Sequence, residues 1–229
     1  MSNVSFAWPG RRRFALAIDA FALARGERLL LLGPSGSGKS TFLSLLAGIV
    51  VPDNGTISVL GTDLGRLSSS ARDRFRAEHF GIIFQQFNLL PYASVLDNTL
   101  LPLAFAPARR ARAAESATSE SSARRLLTTL GLDATLIDGA HAASLSVGQQ
   151  QRVAAARALI GAPELIVADE PTSSLDRGHQ LAFLDLLFGE LDRAGTSLIM
   201  VSHDETLATR FSRVVRLDEI ASIETGAAL

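Results

Sequence analysis

The chain has 229 residues, of which 47% are apolar, so it can build the core of one large α/β domain or two small ones. Its net charge of −1 gives no reason to expect nucleic acid or an anionic membrane surface as its main partner. The absence of cysteine excludes disulfides, thiolate metal sites and thiol nucleophiles.

Membrane insertion is not expected from the apolar patterning. No apolar run approaches the roughly 18 residues that a membrane-spanning helix needs. Residues 11–24 imitate a targeting signal, with three arginines before an apolar stretch, but Asp19 interrupts that stretch. We therefore expect neither a cleaved signal peptide nor a membrane span.

The N-terminal part of the chain predicts β structure. Alternating apolar residues from Val4 to Ile18 predict two strands joined by a turn at Pro9 and Gly10. A second turn is predicted at residues 53–55, followed by a strand over residues 56–60. These elements predict a small antiparallel sheet beside the main one.

Between these strands lies a glycine-rich loop that fits the phosphate-binding pattern G-x-x-x-x-G-K-[ST]. An apolar run over residues 27–32 precedes the loop, and a predicted helix over residues 42–48 follows it, which is the context that such a loop requires. The backbone N–H groups and the helix dipole then face an anion. The loop consists of Gly33, Pro34, Ser35, Gly36, Ser37, Gly38, Lys39, Ser40 and Thr41.

Two side chains of the loop carry specific expectations. Lys39 is expected to reach the β- and γ-phosphates of a nucleotide, and the Ser40 hydroxyl to ligate Mg²⁺. Lys39 is the only lysine in the chain, while arginine fills every other basic position. An arginine fork substitutes poorly for a compact ammonium among phosphates, so this lysine supports the phosphate-binding interpretation over a ligand-free turn.

The middle of the chain predicts helices. A helix over residues 67–79 leads into a buried strand over residues 80–84, and further helices are predicted over 95–103, 119–130 and 149–160. We interpret residues 86–161 as a helical subdomain inserted into an α/β core of residues 1–85 and 162–229. The Ala/Arg/Ser/Glu-rich stretch 107–122 favours a flexible surface segment, with a solvated helix face as the alternative.

The last third returns to strands, over residues 165–168, 197–201 and 214–217, with a helix over 178–193, which implies a parallel sheet. Asp169 and Glu170 end the first of these strands. Ligands of open parallel sheets lie at the carboxyl ends of strands, so both acids should face bound phosphates. Asp169 is placed for the Mg²⁺ shell, and Glu170 for polarising the water that attacks the γ-phosphate.

Residues 145–152, LSVGQQQR, resemble the signature sequence of the ATP-binding-cassette ATPases. The other motifs follow in the order of that family: the phosphate loop, Phe84-Gln85, the signature, the Asp169-Glu170 strand, residues 173–176 and His203. The resemblance covers essentially the whole chain. It implies one nucleotide-binding domain over residues 1–229, with a P-loop NTPase core, an antiparallel β subdomain and an inserted helical subdomain.

The resemblance also implies a composite site. Two such domains pair head to tail and enclose two ATP molecules, each held by one protomer's phosphate loop and the other's signature. Ser146, Gly148 and Gln149 then contact the partner's γ-phosphate from the start of a helix. A plain helix cap by Ser146 is compatible with that role. Val147 departs from the commoner glycine, so we expect an ordinary backbone conformation there.

Further roles follow only from the resemblance. His203 matches the switch histidine that links the γ-phosphate to Glu170 and to the partner's loop around Asp176. Gln85 adds a contact to Mg²⁺ or water. Trp8 occupies the place of an aromatic ring that stacks on adenine, although it could equally belong to the core.

Residues 86–98 resemble the lipoprotein-release, macrolide-export and cell-division subgroup, whose ATPase subunits bind a cytoplasmic helix of a membrane partner in this region. The chain is therefore interpreted as a peripheral ATPase homodimer on the cytoplasmic face of the inner membrane, which powers or gates a separate permease. A non-transport regulator of a membrane partner, of the cell-division type, is the alternative.

Overall fold

The computed structural model describes residues 1–8, 15–115 and 118–224. Its strands, in chain order, are β1 (Ser2–Ala7), β2 (Ala15–Ala20), β3 (Arg28–Leu32), β4 (Asn54–Thr56), β5 (Ser58–Val59), β6 (Thr62–Asp63), β7 (Phe80–Ile83), β8 (Leu165–Asp169), β9 (Ser197–Ser202), β10 (Arg213–Arg216) and β11 (Ala221–Glu224). Its helices are α1 (Lys39–Leu46), α2 (Ser69–His79), α3 (Val95–Leu100), α4 (Pro107–Ala113), α5 (Ser119–Thr129), α6 (Ala134–Gly139), α7 (Val147–Leu159), α8 (Arg177–Ala194) and α9 (Leu217–Ile220).

The central sheet is parallel and has the strand order β10-β3-β9-β8-β7. Apart from the edge strand β10, its strands are nearly continuous apolar runs because both faces are covered. In β3, Leu30 and Leu32 pack into one hydrophobic cluster with helices α3, α5 and α7, whereas Leu29 and Leu31 pack into a second cluster with α1 and the antiparallel sheet. The predicted strands and the parallel arrangement agree with this sheet.

A second, antiparallel sheet has the order β11-β2-β1-β4. Val4 of β1 pairs with Ile18 of β2, and both side chains are buried in the second cluster. The turn that we predict at Pro9 and Gly10 lies outside the described residues.

The turn predicted at residues 53–55 is wrong, and the strand predicted over 56–60 is confirmed only in part, since Thr56 ends β4 and Ser58–Val59 form β5. Asn54 and Gly55 belong to β4, which pairs with β1. Gly55 has φ +89°, and a Cβ atom there would lie 2.2 Å from the carbonyl oxygen of Asn3, so it marks an irregular close approach within a strand. The reversal occurs instead at Leu60 and Gly61, both with positive φ, between β5 and β6.

Helices α3 to α7 lie between β7 and β8. The helix predicted over 95–103 ends as α3 at Leu100 and continues as a 3₁₀ turn over Leu101–Ala104, where Pro102 has no N–H to donate. The boundaries of a helical subdomain at 86–161 remain a prediction.

The flexible segment predicted over residues 107–122 is wrong for residues 107–113, which form α4, and for residues 119–122, which begin α5; Arg109 of α4 is 2% exposed. Its guanidinium donates hydrogen bonds to the carbonyl oxygens of Ala77, Phe80, Ala158 and Ile160. Burial lowers the pKa of Arg109 to about 10, which still leaves it charged at neutral pH. Residues 116 and 117 lie outside the described chain.

Candidate active site

A cavity of about 540 Å³ lies at the carboxyl ends of the parallel strands β3, β8 and β9, where such sheets bind ligands. It gathers most of the predicted site residues from one chain. Its lining consists of Trp8, Ser35, Gly36, Gly38, Lys39, Ser40, Thr41, Gln85, Asp169, Glu170 and His203.

The glycine-rich loop connects β3 to α1 as predicted. Gly36 and Gly38 have positive φ values of +79° and +88°, which turn the loop around the cavity. Gly33 is also constrained, because a Cβ atom there would lie 2.8 Å from the buried Oγ of Ser37. The loop therefore favours glycine at Gly36 and Gly38 for their left-handed backbone, and at Gly33 for the close approach of the Ser37 hydroxyl.

Lys39, the first residue of α1, is 6% exposed and folds back over the loop. Its Nζ donates hydrogen bonds to the carbonyl oxygens of Gly33 at 2.8 Å and Pro34 at 2.9 Å. Nζ also lies 3.6 Å from Oε1 of Glu170. A phosphate that enters the cavity can replace these carbonyl oxygens as the acceptor and form a charge-assisted hydrogen bond with the Lys39 ammonium.

Ser40 and Asp169 meet across the cavity, where the Ser40 hydroxyl donates to Oδ2 of Asp169 at 2.8 Å. Burial raises the pKa of Asp169 above its ordinary value, and the nearby Glu170 adds to this rise. The Ser40 hydrogen bond and the charge of Lys39 act in the opposite direction. A hydroxyl and a carboxylate held this close are ligands that suit Mg²⁺ next to phosphate oxygens.

Glu170 is held in an unusual conformation. Its φ is +45°, in the left-handed region that non-glycine residues seldom adopt, and its backbone N–H donates to the carbonyl oxygen of Val201. Its Oε2 lies 2.7 Å from Nδ1 of His203. The sequence predicted this pairing of acid and histidine, but no sequence signal predicts the left-handed backbone.

Trp8 and Gln85 line the cavity, and both residues are exposed to solvent. Trp8 is 36% exposed, packs edge-on against Phe6, and donates from Nε1 to the Thr41 hydroxyl at 3.2 Å. Its ring therefore lies partly exposed at the edge of the core, where it lines the cavity. Gln85 is exposed in the loop that follows β7.

The predicted signature residues lie apart from this cavity. Ser146 caps α7, accepting from the N–H of Gln149 while the Gln149 side chain accepts from the N–H of Ser146. Val147 is the first helical residue, which confirms its ordinary backbone, and its side chain is 49% exposed. Gly148 follows on the same turn, beside Leu175.

Asp176 likewise does not line the cavity. It caps α8 by accepting from the N–H of His179, and its other carboxylate oxygen lies near the His179 ring. Arg157, which the sequence did not single out, donates hydrogen bonds to the carbonyl oxygens of Phe87 and Asn88, shortly after Gln85. Nothing in the sequence separates this arginine from the many others.

A glycine-rich loop between a parallel strand and a helix, facing two acids at the end of another strand, defines a P-loop nucleoside triphosphatase. A family model described as ABC transporter matches residues 17–173 of the chain. The chain belongs to this family of ATP-binding-cassette ATPases, and it is an ATP-binding and ATP-hydrolysing protein.

Curated relatives support this assignment. The chain is 45% identical to an uncharacterized ABC transporter ATP-binding protein, YbbA of Escherichia coli K12, over 84% of this chain and 81% of that protein. It is 42% identical to the lipoprotein-releasing system ATP-binding protein LolD of Novosphingobium aromaticivorans, over 85% and 83%. It is 41% identical to the macrolide export ATP-binding/permease protein MacB 1 of Aeromonas hydrophila, over 93% of this chain but only 32% of that protein.

Solved structures confirm the fold class. A dimeric post-hydrolysis state of the ATP-binding cassette MJ0796, bound to ADP and phosphate, superposes with a TM-score of 0.82 at 30% identity, covering 100% of this chain and 98% of that one. A second dimeric structure of MJ0796, a bacterial ABC transporter cassette, gives 0.81 at 29% identity, over 99% and 98%.

Proposed function

We propose that the chain is the ATP-hydrolysing subunit of a membrane transporter and that two copies complete each active site head to tail. One observation carries this proposal. The cavity gathers Lys39, Asp169 and Glu170, whereas Ser146 and Gly148 lie outside it at the exposed start of α7. The dimeric MJ0796 structure with ADP and phosphate supports pairing of such cassettes.

Within one protomer, the nucleotide is held by the loop and by Lys39. Ser40 and Asp169 hold Mg²⁺, which neutralises charge on the phosphates when it is bound. Glu170 accepts a proton from the attacking water, since its carboxylate reaches the cavity, 3.6 Å from the Lys39 ammonium that holds the phosphates. His203 orients Glu170 through their 2.7 Å contact.

The second protomer supplies Ser146, Gly148 and Gln149 to the γ-phosphate. These residues open α7, a helix of 13 residues whose N-terminal N–H groups suit an anion. Asp176 caps the start of α8, and in the proposed dimer it meets the partner's loops. A protomer alone therefore binds ATP and hydrolyses it poorly.

A groove of about 590 Å³ is a suitable place for a helix of a separately encoded permease. It lies between α2, the end of β7 and the 3₁₀ turn after α3, and it exposes Phe84 at 36% and Phe105 at 67%. Exposed aromatic residues in a concave surface favour a protein partner. No helix in the described part of this chain is long and apolar enough to cross a membrane. Docking of a permease helix in this groove would hold the chain at the cytoplasmic face of the inner membrane.

Mixing two inactive variants tests the head-to-tail site. Lys39→Ala removes the phosphate contact of one loop, and Gly148→Asp places a negative charge at the start of α7. In a mixed dimer both defects fall in one site and the other site is intact, so activity should return to roughly a quarter of the wild-type value. No recovery at any mixing ratio would place the whole active site within one chain.

Affinity purification from native membranes tests the partner. We expect a membrane permease to co-purify with the wild-type chain and to be lost with Phe105→Glu. Ile49→Glu is the control, since Ile49 is 48% exposed but lies outside the groove. Retention of the partner by the Phe105 variant would overturn docking in this groove, and co-purification of a membrane protein without a transport pathway would favour the regulatory alternative.

A further inference from the structure

The loop that carries Gln85 has a strained backbone. A turn closes when the N–H of Phe87 donates to the carbonyl oxygen of Phe84 at 3.0 Å, which places Gln85 and Gln86 at its tip. The next two residues, Phe87 and Asn88, have φ values of +58° and +49°. Non-glycine residues seldom adopt left-handed backbone, so surrounding contacts must hold this segment.

Arg157 supplies those contacts. This arginine of α7 is 8% exposed, and its guanidinium donates to the carbonyl oxygens of both Phe87 and Asn88, the latter at 2.7 Å. The two carbonyls belong to the two left-handed residues. The Phe87 ring, 6% exposed, packs into the hydrophobic cluster beneath the same helix.

The side chain of Gln85 has no comparable anchor. It is exposed, and within the described chain its amide makes no hydrogen bond. Its position in the nucleotide cavity therefore depends on the backbone of its own turn, which β7 fixes on one side and Arg157 fixes on the other. Arg157 also lines the groove that exposes Phe84, the residue before Gln85.

We propose that Arg157 is a positioning residue for hydrolysis, which places Gln85 in the nucleotide cavity by holding the backbone of Phe87 and Asn88. This inference rests on the proposed function, because it gives Gln85 a role at the bound nucleotide. Arg157 lies on the helix that begins at Ser146, so the same helix serves the site of its own chain at one end and the site of the partner at the other.

A double-mutant cycle tests the route through Gln85. Steady-state kcat and KM for ATP are measured for the wild type, Gln85→Ala, Arg157→Met and the double variant. We expect Arg157→Met to lower kcat about tenfold to hundredfold, as misplacement of a site group does, with KM nearly unchanged. The double variant should be no slower than Gln85→Ala alone, because both changes remove one interaction.

Arg112→Met is the matched control. Arg112 also donates to two backbone carbonyls, those of Glu78 and Gly161, but it does not contact the loop of Gln85. It should lower the melting temperature and leave kcat per folded molecule unchanged. Arg157→Lys keeps a positive charge and N–H donors but loses the planar fork, so it should recover part of the lost kcat, and it replaces Arg157→Met in the cycle if the latter does not fold.

Additive losses in the cycle, or equal kcat for the Arg157 and Arg112 variants, would overturn the positioning role. No effect of Gln85→Ala on kcat would overturn it as well. These outcomes are independent of the mixing experiment, which tests the composite site and uses neither Arg157 nor Gln85.

Discussion

Oε2 of Glu170 lies 2.7 Å from Nδ1 of His203, and Oε1 of the same carboxylate lies 3.6 Å from Nζ of Lys39. The acid is therefore held between a histidine at the mouth of the cavity and the ammonium of the phosphate loop. The left-handed backbone at Glu170, with φ +45°, aims the carboxylate into this position. Strain of this kind persists where surrounding structure enforces a functional geometry.

Glu170→Gln should abolish turnover while leaving ATP binding intact. The amide keeps the shape of the side chain but cannot accept the proton of the attacking water, and loss of a general base costs about 10²–10⁴-fold in kcat. ATP should then hold a stable dimer, visible by size-exclusion chromatography. Glu164→Gln is the control, because Glu164 also pairs with a histidine, His79, at 2.9 Å outside the cavity. Wild-type turnover in the Glu170 variant would exclude this residue as the base.

Trp8 is the only tryptophan in the chain, so intrinsic tryptophan fluorescence reports on the cavity alone. Titration with ATP should change this fluorescence to saturation. Trp8→Ala should weaken ATP binding by roughly tenfold or more, since stacking of a base on an aromatic ring contributes about 1–3 kcal/mol. Trp8→Phe keeps a stacking face and should restore most of the affinity. Unchanged ATP affinity in Trp8→Ala would assign this ring to the core.

Neighbouring positions at the start of α7 should respond differently to substitution. A Cβ atom at Gly148 would lie 3.7 Å from Leu175, an ordinary contact, so Gly148→Ala should keep or slightly raise the melting temperature. Its hydrolysis should nevertheless fall by at least about tenfold, because in the proposed head-to-tail site the added methyl group would crowd the partner's γ-phosphate. Val147→Gly should leave turnover within a few-fold. Equal turnover in both variants, measured at a concentration that permits dimers, would contradict the composite site.

The phosphate loop, Asp169 and Glu170 could be predicted from sequence because their placement follows from local context, whereas the role of His203 follows only from the family resemblance. A strand followed by a glycine loop and a helix fixes one part of the site, and acids that end a parallel strand must face the same edge of the sheet. The structure accordingly brings Ser40 and Asp169 within 2.8 Å.

The roles of Arg109 and Arg157 could not be predicted in this way. Composition predicts that arginine-rich segments are solvated, but the guanidinium of each is satisfied by carbonyl groups that are distant in sequence. The turn predicted at residues 53–55 failed for a related reason, because pairing with β1 decides the conformation of Gly55. Each failure reflects a tertiary contact that overrides a local preference.

The raised pKa of Asp169 gives two opposite pH trends. A protonated Asp169 cannot ligate Mg²⁺, so Mg²⁺-dependent ATP hydrolysis should decline on acidification at a pH above the ordinary aspartate value of 3.8. Without nucleotide, the native state binds this proton more tightly than the unfolded chain does. The contribution of Asp169 to the free energy of unfolding should therefore rise as the pH falls through the raised pKa. Asp169→Asn should remove the stability trend, as measured by thermal unfolding between neutral and acidic pH. An identical pH dependence of stability in both proteins would contradict burial as the cause.

Arg109 should be a large contributor to stability although it lies in a segment whose composition suggests flexibility. Its guanidinium donates hydrogen bonds to four backbone carbonyl oxygens, which lie at the ends of α2 and α7 and at the start of β7. A buried carbonyl without a donor costs about 1–3 kcal/mol, so Arg109→Met should lower the free energy of unfolding by about 2–4 kcal/mol in urea titrations. Arg110→Met changes the next residue of the same helix, which is exposed, and should stay within about 0.5 kcal/mol of the wild type. Equal effects of the two substitutions would show that the carbonyl contacts of Arg109 do not hold α4 against the core.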